Sequence, residues 1–472
     1  MKAMLNHQIE VSPRRWLLLP IEYKVRELDG SAILAFEAAE RGWGTILGSK
    51  TSIRSGVNLP RGILNERWIE PGSSKRILAS QALGQKLSAW CEEGLVYPSA
   101  EHYGRYKVEK KSLDLLEAFF VWGQNQYDDM VNKLGCRRDN MVVSGNPRFD
   151  LHRSDMRGVL AMRAETIRSE YSPFILINTQ FPFFNGYYSL ATIQKKWSKS
   201  GRFRTKEDEI KMQDRIRYDG QLFAKFVDLT AKLSRQFPAY TIVIRPHPSE
   251  KAASWAAETA PLSNVRVIHQ GNVAEWLIAS EVCIHTNCTT GVEAYLLNKP
   301  AISYRPVCDS RFDKFLPNTL SQQAFNDDQL MDIIKTVLCG QKTDTDDEVL
   351  AKDEVARHFI ANFQGKMACE RILDRLDRID FPEAALSFPR SFLDSFETAI
   401  RKQVKILKGV LAGPETATRK RHITEKLDGA DTSHLVELLV TAQNVTGRFK
   451  NIQVAELEKN LFCIYSQSPA GT

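Results

Sequence analysis

Short apolar runs alternate with helical patterns along most of the chain. In the N-terminal half, residues 15–20 form an apolar run, a helical pattern continues to Ala38, and residues 45–48 form a second run after a glycine-containing turn. A strand, a helix and a strand within about 35 residues are typical of a βαβ unit, because parallel strands need a crossover of this length. Residues 118–122 and 141–144 are further strand candidates, each followed by glycine, as expected for buried parallel strands that end at a cleft.

The same alternation restarts after a polar, charged helical stretch that follows residue 150. Residues 174–178 and 241–245 are strand candidates, and apolar residues from Leu222 to Leu233 mark one face of the helix between them. Three more strand candidates follow, at residues 265–268, 282–285 and 301–304. Two successive β/α halves, with a break between residues 150 and 172, predict an α/β protein with two Rossmann-like domains.

The bulk composition indicates a globular protein with more than one domain. The chain has 472 residues, of which 43% are hydrophobic and 26% charged, and this length exceeds what one core accommodates. No apolar run approaches the roughly 20 residues that span a bilayer, and the N-terminus lacks the apolar stretch of a signal peptide. We therefore expect the protein in the cytoplasm.

The net charge and the cysteine and histidine spacings limit the classes of ligand and metal that the chain is expected to bind. The net charge of +7 suits an anionic ligand, a membrane surface or nucleic acid, but no nucleic-acid-binding motif accompanies it. The eight cysteines and nine histidines have neither the spacing of a metal site nor that of a disulfide framework, so we expect no metal. The tail from residue 383 is helical in pattern and basic, for example at Arg401 and Lys402, with an apolar stripe at Val404 and Leu407. It is expected to pack on the protein or a partner, with a membrane-surface helix as the alternative.

The strongest local motif is RPHPSE, from Arg245 to Glu250, directly after an apolar strand. Open α/β sheets bind ligands at the carboxyl ends of their strands, so these side chains should face a cleft. The prolines stiffen the turn, and a histidine held in this way can hydrogen-bond a phosphate and protonate a leaving phosphate oxygen. A turn histidine that satisfies backbone carbonyls fits the motif equally well. The residues assigned to the donor phosphate here are Arg245, His247 and Pro248.

A second motif, HTNCTTGVEA from His285 to Ala294, also follows a strand and opens a helix. Hydroxyl residues at a helix start satisfy free backbone N–H groups, and that end of a helix is a ready anion site. A carboxylate one turn further on can accept both ribose hydroxyls, although plain helix capping is the alternative. Two phosphate-suited loops at adjacent strand ends favour nucleotide binding. The residues assigned to the nucleotide are Thr286, Asn287, Thr289, Thr290 and Glu293.

Two acidic loops in the first half are candidates for the side opposite the nucleotide. Residues 20–27 lie in the loop after the first strand, and residues 90–97 form an acidic turn after a helix. If both loops point into the cleft, Glu22 and Glu93 line it, and Arg26 suits a carboxylate or phosphate of the substrate. Each of these side chains is equally consistent with ordinary surface charge.

The order of the motifs resembles the bacterial surface carbohydrate biosynthesis proteins, a group related to the capsule and O-antigen β-Kdo transferases. The motifs are PIEYKVREL, GWGTILG, EEGLVY, VWGQNQYD, SGNPRFDL, RPHPSE and HTNCTTGVEAYLLNKPAISY, within residues 14–310. More distantly, the chain is similar to CDP-glycerol polyol-phosphate transferases and bacterial sialyltransferases. The resemblance implies a GT-B fold with two Rossmann-like domains facing a central cleft. The expected boundaries are 1–160 for the acceptor domain, 161–382 for the nucleotide-sugar domain and 383–472 for a helical, basic extension.

The resemblance also implies roles for individual residues. His247 and Pro248 fall on the family's His-Pro motif, which contacts the donor phosphate, and Thr289, Thr290 and Glu293 fall on its phosphate- and ribose-binding helix start. Neither a metal nor another cofactor is implied, because a CMP-sugar leaves with a single phosphate whose charge a histidine and helix amides can meet.

The attacking group is the least determined part of the implied site. The β-Kdo transferases retain anomeric configuration through a carboxylate nucleophile, but the loop after residues 174–178 contains no acid. Asp214 and Asp219 are the nearest candidates. If neither reaches the sugar, Glu93 or Glu22 would be the essential acid, as the base of an inverting reaction. The residues assigned to the substrate near this strand are Asn178 and Gln180.

Together these patterns predict a glycosyltransferase. We expect it to move a 3-deoxy-ulosonic acid (Kdo or a sialic-acid-like nonulosonic acid) from a CMP-activated donor to a capsule or O-antigen glycan, with retention of configuration. The acceptor would be a glycan or lipid-linked glycan, with peripheral contact at the inner membrane. One alternative is a CDP-glycerol-type polyol-phosphate transferase, which shares the His-Pro chemistry. The other, motivated by the basic tail, is a non-catalytic docking component of a polysaccharide export complex.

Overall fold

The chain forms two compact α/β units in the computed structural model, which describes residue 13 and residues 15–55, 59–187, 189–199, 205–381 and 431–467. The first unit comprises the described residues of Met1–Gly94, Lys107–Leu151 and Gln364–Thr472, and the second comprises Leu95–Tyr106 and His152–Phe363. Both contain a largely parallel sheet with helices. The predicted α/β class with two Rossmann-like units, the composition of the GT-B fold, is therefore confirmed.

The secondary structure elements are numbered in chain order within the described residues. The strands are β1 (Arg15–Ile21), β2 (Trp43–Ser49), β3 (Ile63–Glu66), β4 (Lys86–Trp90), β5 (Ala118–Val121), β6 (Met141–Val143), β7 (Phe174–Asn178), β8 (Thr241–Arg245), β9 (Val265–Val267), β10 (Val282–His285), β11 (Ala301–Tyr304), β12 (Gln322–Ala324), β13 (Ile452–Glu458) and β14 (Leu461–Ser466).

The helices account for most of the remaining described residues. They are α1 (Lys24–Glu40), α2 (Lys50–Ser55), α3 (Ser73–Ala82), α4 (Ala100–Lys107), α5 (Lys110–Asp114), α6 (Gln124–Asp128, continued by a π-helical turn at Asp129–Lys133), α7 (Pro147–Asp150), α8 (Gly158–Tyr171), α9 (Leu190–Lys199), α10 (Lys206–Gln236), α11 (Ala252–Thr259), α12 (Val273–Ala279), α13 (Thr289–Leu296), α14 (Phe315–Thr319), α15 (Asp327–Leu338), α16 (Asp346–Phe359), α17 (Ala368–Leu376) and α18 (Thr432–Thr446). No helix in the described ranges is both long enough and apolar enough to cross a membrane.

The first sheet has the strand order β13-β14-β2-β1-β3-β4-β5-β6. Strands β1 to β6 are parallel, and the hairpin of β13 and β14 adds to the edge at β2 in antiparallel orientation. Residues 432–446 of the tail are helical as expected, but residues 452–466 form strands, which corrects the expectation of a wholly helical extension. The buried run Leu461–Tyr465 covers an edge strand that would otherwise expose unpaired backbone groups. The basic residues Arg401 and Lys402 and the stripe at Val404 and Leu407 lie outside the described residues.

The expected domain boundaries at residues 160 and 382 also differ from the observed division. The chain contributes Leu95–Tyr106 to the second unit, enters it again at His152 and returns to the first at Gln364. The return is fixed by Asp150, whose two carboxylate oxygens accept the backbone N–H groups of Ala368 at 2.8 Å and Cys369 at 2.9 Å, at the start of α17. A helix cap supplied by a residue 218 positions away leaves no local sequence pattern.

Helix α1 forms the centre of the first unit and is buried along most of its length. Its small residues allow close approach of the neighbouring backbone. A Cβ at Gly30 would lie 2.7 Å from the backbone of Arg148 in α7, so a side chain there would separate the two helices.

The second sheet has the parallel order β12-β11-β10-β7-β8-β9. Counted from β7, this is the Rossmann order 3-2-1-4-5-6, whose direction of winding reverses between β7 and β10. The predicted strands at 174–178, 241–245, 282–285 and 301–304 are confirmed. However, the loops after β8 and β10 do not follow adjacent strands, as the sequence had suggested, because β7 lies between them.

The core of the second unit includes a group of aromatic side chains beneath the sheet. Helix α10 buries Leu222, Phe226 and Leu233, which confirms the apolar face predicted from the sequence. Phe226 and Trp255 of α11 both pack against Phe181 in the loop after β7. Each fully buried side chain of this size contributes about 1.5–3 kcal/mol to folding, so this core gives the loop after β7 a rigid support.

Candidate functional site

The register of the second sheet places three polar side chains at one level. Asn178 at the end of β7 is paired with Arg245 of β8 on one side and with His285 of β10 on the other. This level is the carboxyl edge at the reversal point, where open α/β sheets bind ligands. Nδ2 of Asn178 donates to Oγ1 of Thr290 at 3.1 Å, whereas its buried Oδ1 has no hydrogen-bond partner among the described residues. Asn178 therefore links β7 to the start of α13.

The turn after β8 fixes the orientation of His247. The backbone N–H of Ser249 donates to Nδ1 of the imidazole at 3.1 Å, and the backbone N–H of His247 donates to Oε1 of Glu250 at 3.3 Å. Because Nδ1 accepts a hydrogen bond, the neutral ring carries its proton on Nε2. The sequence placed His247 and Pro248 at this turn, and both are partly buried there.

Glu250, the last residue of the motif, was given no separate role from the sequence. Its carboxylate is 1% exposed and accepts hydrogen bonds from three elements. The donors are Thr179 Oγ1 at 2.9 Å, Phe181 N at 2.9 Å, Asn185 Nδ2 at 3.4 Å, His247 N at 3.3 Å and Trp255 Nε1 at 3.1 Å. Burial raises the pKa of Glu250, and the hydrogen bonds act against that rise. Glu250 thus ties the His247 turn to the loop after β7.

Arg245 is held beside the same turn. Its Nη2 donates to the backbone oxygens of Gln270 at 3.0 Å and Gly271 at 2.8 Å, and the guanidinium lies 5.0 Å from the centroid of the Trp276 ring. Its Nε and Nη1 are buried and have no hydrogen-bond partner within the described ranges. Burial lowers the pKa of Arg245 to about 10, so the side chain stays charged at neutral pH. Two unused donors on a held cation suit an anionic ligand.

Helix α13 begins on top of a buried histidine. A Cβ at Gly291 would lie 2.3 Å from Nε2 of His285, so only glycine lets the helix start this close to β10. Nε2 of His285 lies 2.8 Å from Oγ of Ser321, which itself donates to Pro317 O at 2.8 Å. Ser321 must therefore accept from His285, and burial lowers the pKa of this histidine to about 3, which keeps it neutral. The sequence showed His285 only as the end of a strand.

The hydroxyl residues at this helix start have different environments. Thr290 is buried and accepts from Asn178, while Thr289 is partly exposed at the first position of the helix. Thr286 is buried before the turn. Of the three, Thr289 is the most accessible to a phosphate.

Asn287 occupies the left-handed region at φ +50°, which asparagine tolerates better than most residues. Its Oδ1 accepts from Lys314 N at 2.9 Å and Asn318 Nδ2 at 2.8 Å, and its Nδ2 donates to Tyr218 Oη at 3.1 Å. The amide is thus engaged by the protein and shapes the loop. Gln180 lies against the same loop. With its amide in the orientation that satisfies both neighbours, its nitrogen donates to Asn287 O at 3.0 Å and its oxygen accepts from Lys314 Nζ at 3.2 Å. Lys314 therefore brings a cation that the sequence analysis did not identify.

Glu293 is buried within α13, and its Oε2 lies 3.2 Å from Nε2 of His152. His152 is also buried and was not identified from the sequence. The ribose contact assigned to Glu293 stays a prediction, and in the described structure His152 contacts its carboxylate.

The two aspartates of α10 differ sharply. Asp214 is partly exposed and pairs with Arg311 at 2.7 Å and Arg217 at 3.4 Å. Asp219 is fully buried, with Oδ1 accepting from Arg215 Nε at 2.8 Å and Oδ2 without a hydrogen-bond partner among the described residues. Burial raises the pKa of Asp219 to about 6, and Arg215 acts against the rise. Both lie inside α10.

The first sheet gathers a different set of charges at its carboxyl edge. Residues 24–27 belong to the first turn of α1, not to a loop, and residues 90–97 follow strand β4, not a helix. Arg26 donates to Oε1 of Glu27 at 2.7 Å, and Glu27 also pairs with the buried Arg67. Burial alone would raise the pKa of Glu27, but Arg67 and Arg26 lower it below its usual value. Arg26 is therefore held by a carboxylate of its own helix.

Three glutamates at this edge have different exposure. The Glu93 side chain is 56% exposed and pairs with Lys107 at 2.6 Å. Glu92, which the sequence analysis passed over, is buried against Arg67 at 3.1 Å and accepts from Trp90 Nε1 at 2.6 Å. Glu22 is partly exposed at the end of β1, with its Oε2 3.8 Å from Lys50 Nζ. Of the three glutamates, Glu22 is therefore the one that is both accessible to solvent and located directly at a strand end.

Nothing in the described part of the chain groups three or more His, Cys, Asp or Glu side chains in a way that would hold a metal ion. The groups at the second sheet whose chemistry suits an anion are an imidazole, a guanidinium and a helix start.

Comparisons with known proteins add structural similarities at low identity. The sequence matches no protein-family profile and no curated protein sequence. Among solved structures, the chain is similar to UDP-GlcNAc 2-epimerase from Methanocaldococcus jannaschii in complex with UDP-GlcNAc and UDP, with 11% identity, 77% of this chain and 99% of that chain covered, and a TM-score of 0.43. It is also similar to Anabaena Alr3699/HepE in complex with UDP and glucose. The identity is 12%, the similarity covers 77% of this chain and 100% of that chain, and the TM-score is 0.39. A third similar structure is the wall teichoic acid polymerase TagF. The identity is 11%, the similarity covers 78% of this chain and 89% of that chain, and the TM-score is 0.45.

Proposed function

We propose that the chain is a glycosyltransferase that moves a 3-deoxy-ulosonic acid, Kdo or a sialic-acid-like nonulosonic acid, from a CMP-activated donor to a bacterial capsule or O-antigen glycan. The observation that carries this proposal is the fixed tautomer of His247 at the carboxyl edge of a Rossmann-type sheet. Ser249 N occupies Nδ1, which leaves Nε2–H as the ring's donor. A donor fixed in this way stabilises charge on a leaving phosphate without reorganising.

The rest of the donor site is built from the same strand ends. Arg245 supplies two buried donors, and Thr289 with the first backbone N–H groups of α13 supplies the end of a helix dipole. These groups match the charge of a single phosphate monoester leaving group. Neither a metal nor another cofactor is part of this proposal.

In the transfer step, an acceptor hydroxyl forms a C–O bond to the anomeric carbon, and the bond between that carbon and the phosphate oxygen breaks. CMP leaves with both electrons of that bond, and its developing charge is met by His247, Arg245 and the start of α13. The hydroxyl proton passes to a carboxylate. We assign this base to Glu22, because it is partly exposed at a strand end whereas Glu93 lies at the surface, paired with Lys107.

This assignment gives inversion of configuration in place of the retention expected from the resemblance. Retention needs a carboxylate nucleophile that reaches the sugar, and Asp219 is fully buried against Arg215. Asp214 is paired with Arg311 and Arg217.

Calorimetric titration with CMP, CDP and UDP tests the donor site directly. We expect CMP to bind at least as tightly as CDP, because a single phosphate satisfies the site, and we expect His247→Ala to weaken CMP binding at least about tenfold. Binding of CDP and UDP without measurable binding of CMP would contradict CMP as the leaving group.

A further inference from the structure

A second group of charged side chains lies at the carboxyl edge of the first sheet, and all of it except Glu22 is unused by the transfer step. Glu22 follows β1, Lys50 follows β2 and Trp68 follows β3. Nζ of Lys50 lies 3.8 Å from the centroid of the Trp68 ring and 3.8 Å from Oε2 of Glu22. The winding of the parallel strands reverses beside β1, and this is the position at which open α/β sheets bind ligands.

Two arginines add to the positive charge around Lys50. Arg54 of α2 and Arg76 of α3 both pair with Glu66, whose carboxylate is fully buried. Arg76 also donates to the backbone oxygen of Trp68 at 3.3 Å. We call Glu22, Lys50, Arg54, Glu66, Trp68 and Arg76 the Lys50 cluster. Its three cations and two carboxylates leave one positive charge.

The charges within the Lys50 cluster are incompletely matched. Burial lowers the pKa of Lys50 to about 8, Arg54 and Arg76 add to the effect, and Glu22 and Glu66 oppose it. The Lys50–Glu22 separation of 3.8 Å exceeds the roughly 2.7–2.9 Å of a charge-assisted hydrogen bond. The side chain of Lys50 is 28% exposed, so a ligand can reach it.

We propose that the Lys50 cluster binds an oxyanion, the carboxylate or phosphate group of an acidic sugar in the acceptor glycan. Lys50 donates to the oxyanion, while Arg54 and Arg76 supply positive potential from beneath. A neutral sugar gains nothing from these cations, so the cluster selects acidic acceptors. The identification of the ligand as acceptor rests on the proposed function, whereas oxyanion binding itself does not.

An NMR titration of the full chain tests the site without any turnover. The lysine side chains are labelled by ¹³C reductive methylation, and the Lys50 resonance is identified by its absence in Lys50→Met. The probes are inorganic phosphate, glucuronate and glucose. We expect phosphate, glucuronate or both to shift the Lys50 resonance saturably. A bound anion should also raise the midpoint of the Lys50 pH titration above about pH 8, because it favours the ammonium form. Glucose should leave it unchanged. Response to phosphate alone identifies a phosphorylated acceptor, and response to glucuronate alone identifies a uronic-type acid.

Variants separate the site from general electrostatics. By calorimetry, Lys50→Met should weaken oxyanion binding at least about tenfold, Lys50→Arg should retain most of it, and Lys75→Met, an exposed charge on α3, should change it less than twofold. Absence of a saturable Lys50 response to either anion, or an equal loss in Lys75→Met, overturns the proposal.

Glu22→Gln distinguishes failure of this proposal from failure of the proposed function. It should slow transfer while tightening oxyanion binding, because it removes the negative charge beside Lys50. Loss of transfer without tighter binding contradicts the Lys50 cluster alone. Tighter binding with transfer unchanged contradicts only the role of Glu22 as base.

Discussion

The backbone N–H of Ser249 donates a hydrogen bond to Nδ1 of His247 over 3.1 Å. This contact joins two neighbours in one turn, yet it decides the chemistry of the imidazole. Protonation of Nδ1 would break the bond, so the contact favours the neutral ring with its proton on Nε2. The prolines on either side of His247 and the Glu250 carboxylate hold the turn in which this occurs.

His247→Ala should lower the rate of CMP release by about 10²–10⁴-fold, the usual contribution of a positioned acid or donor. His247→Gln, whose amide can donate from a similar position, should recover part of the loss and remove any titration of the ring from the pH profile. The measurement is kcat and KM for CMP release as a function of pH. His358→Ala, at an exposed position of α16, is the matched control and should stay within about twofold of the wild type. Equal rates in the wild type and His247→Ala would favour a docking role over catalysis.

Gly291→Ala should displace the start of α13, because its Cβ would lie 2.3 Å from Nε2 of His285. We expect a loss of about 1–3 kcal/mol in the free energy of unfolding and weaker CMP binding. Gly220→Ala adds the same methyl group to helix α10, where the nearest atoms belong to the ring of Phe184 at 3.0 Å. That ring is 51% exposed and can move, so this control should be neutral or stabilising. Urea unfolding and calorimetry measure the two effects, and an unperturbed Gly291→Ala would show that α13 does not rest on His285.

Asp219→Asn tests the effect of burial on an acid. Burial raises the pKa of Asp219 from 3.8 to about 6, so the neutral form is favoured in the folded state. Its contribution to stability is fully present below pH 3.8 and is lost as the pH rises through about 6. Above that pH, Asp219→Asn should be more stable than the wild type by at most about 3 kcal/mol, and the difference should shrink toward pH 4.

Urea unfolding between pH 4 and 8 measures this difference. Asp214→Asn, which removes a surface carboxylate of the same helix, should change stability by less than about 1 kcal/mol throughout. If Asp219→Asn is instead destabilised most at pH 8, the ion pair with Arg215 outweighs burial and the raised pKa is wrong.

Glu22 and Glu93 should separate clearly in activity. Glu22→Gln should lower transfer to the acceptor by about 10²–10⁴-fold with little change in CMP binding, since the amide cannot accept the hydroxyl proton. Glu93→Gln should have a small effect, because its side chain is 56% exposed and paired with Lys107. Rates of acceptor glycosylation, with calorimetry of CMP as the folding control, give the comparison. A large effect in Glu93→Gln alone would move the base to that residue.

Much of the fold could be predicted because its strands are short, apolar and fully buried. Phe174–Asn178, Thr241–Arg245 and Ala301–Tyr304 have the predicted bounds, since buried parallel strands leave nearly continuous apolar runs. The hairpin of β13 and β14 could not be predicted in the same way. β13 mixes buried, partly buried and exposed residues at a sheet edge, and β14 pairs with β2, which lies more than 400 positions earlier in the sequence.

The candidate site was predictable only where its residues are neighbours in sequence. The motif RPHPSE predicted a histidine in a rigid turn because the strand, the prolines and the histidine are consecutive in sequence. Three of the five donors to Glu250 come from the distant loop after β7, and the partners of His285 and Glu293 are also distant in sequence. Neither these hydrogen bonds nor the Glu293–His152 contact left a sequence pattern. The burial of Asp219 could not be predicted either, because the sequence of a charged helix does not reveal which of its aspartates is buried.

Turnover with a panel of donors shows whether the chain uses a CMP-activated sugar acid. The purified chain is incubated with an acidic glycan acceptor and with CMP-Kdo, a CMP-nonulosonic acid or CDP-glycerol, and both free CMP and the mass of the acceptor are measured. We predict acceptor-dependent CMP release from at least one CMP-sugar, with a matching mass increase of one sugar acid on the acceptor and none from CDP-glycerol. CMP release and a glycerol-phosphate increment from CDP-glycerol alone would contradict the account.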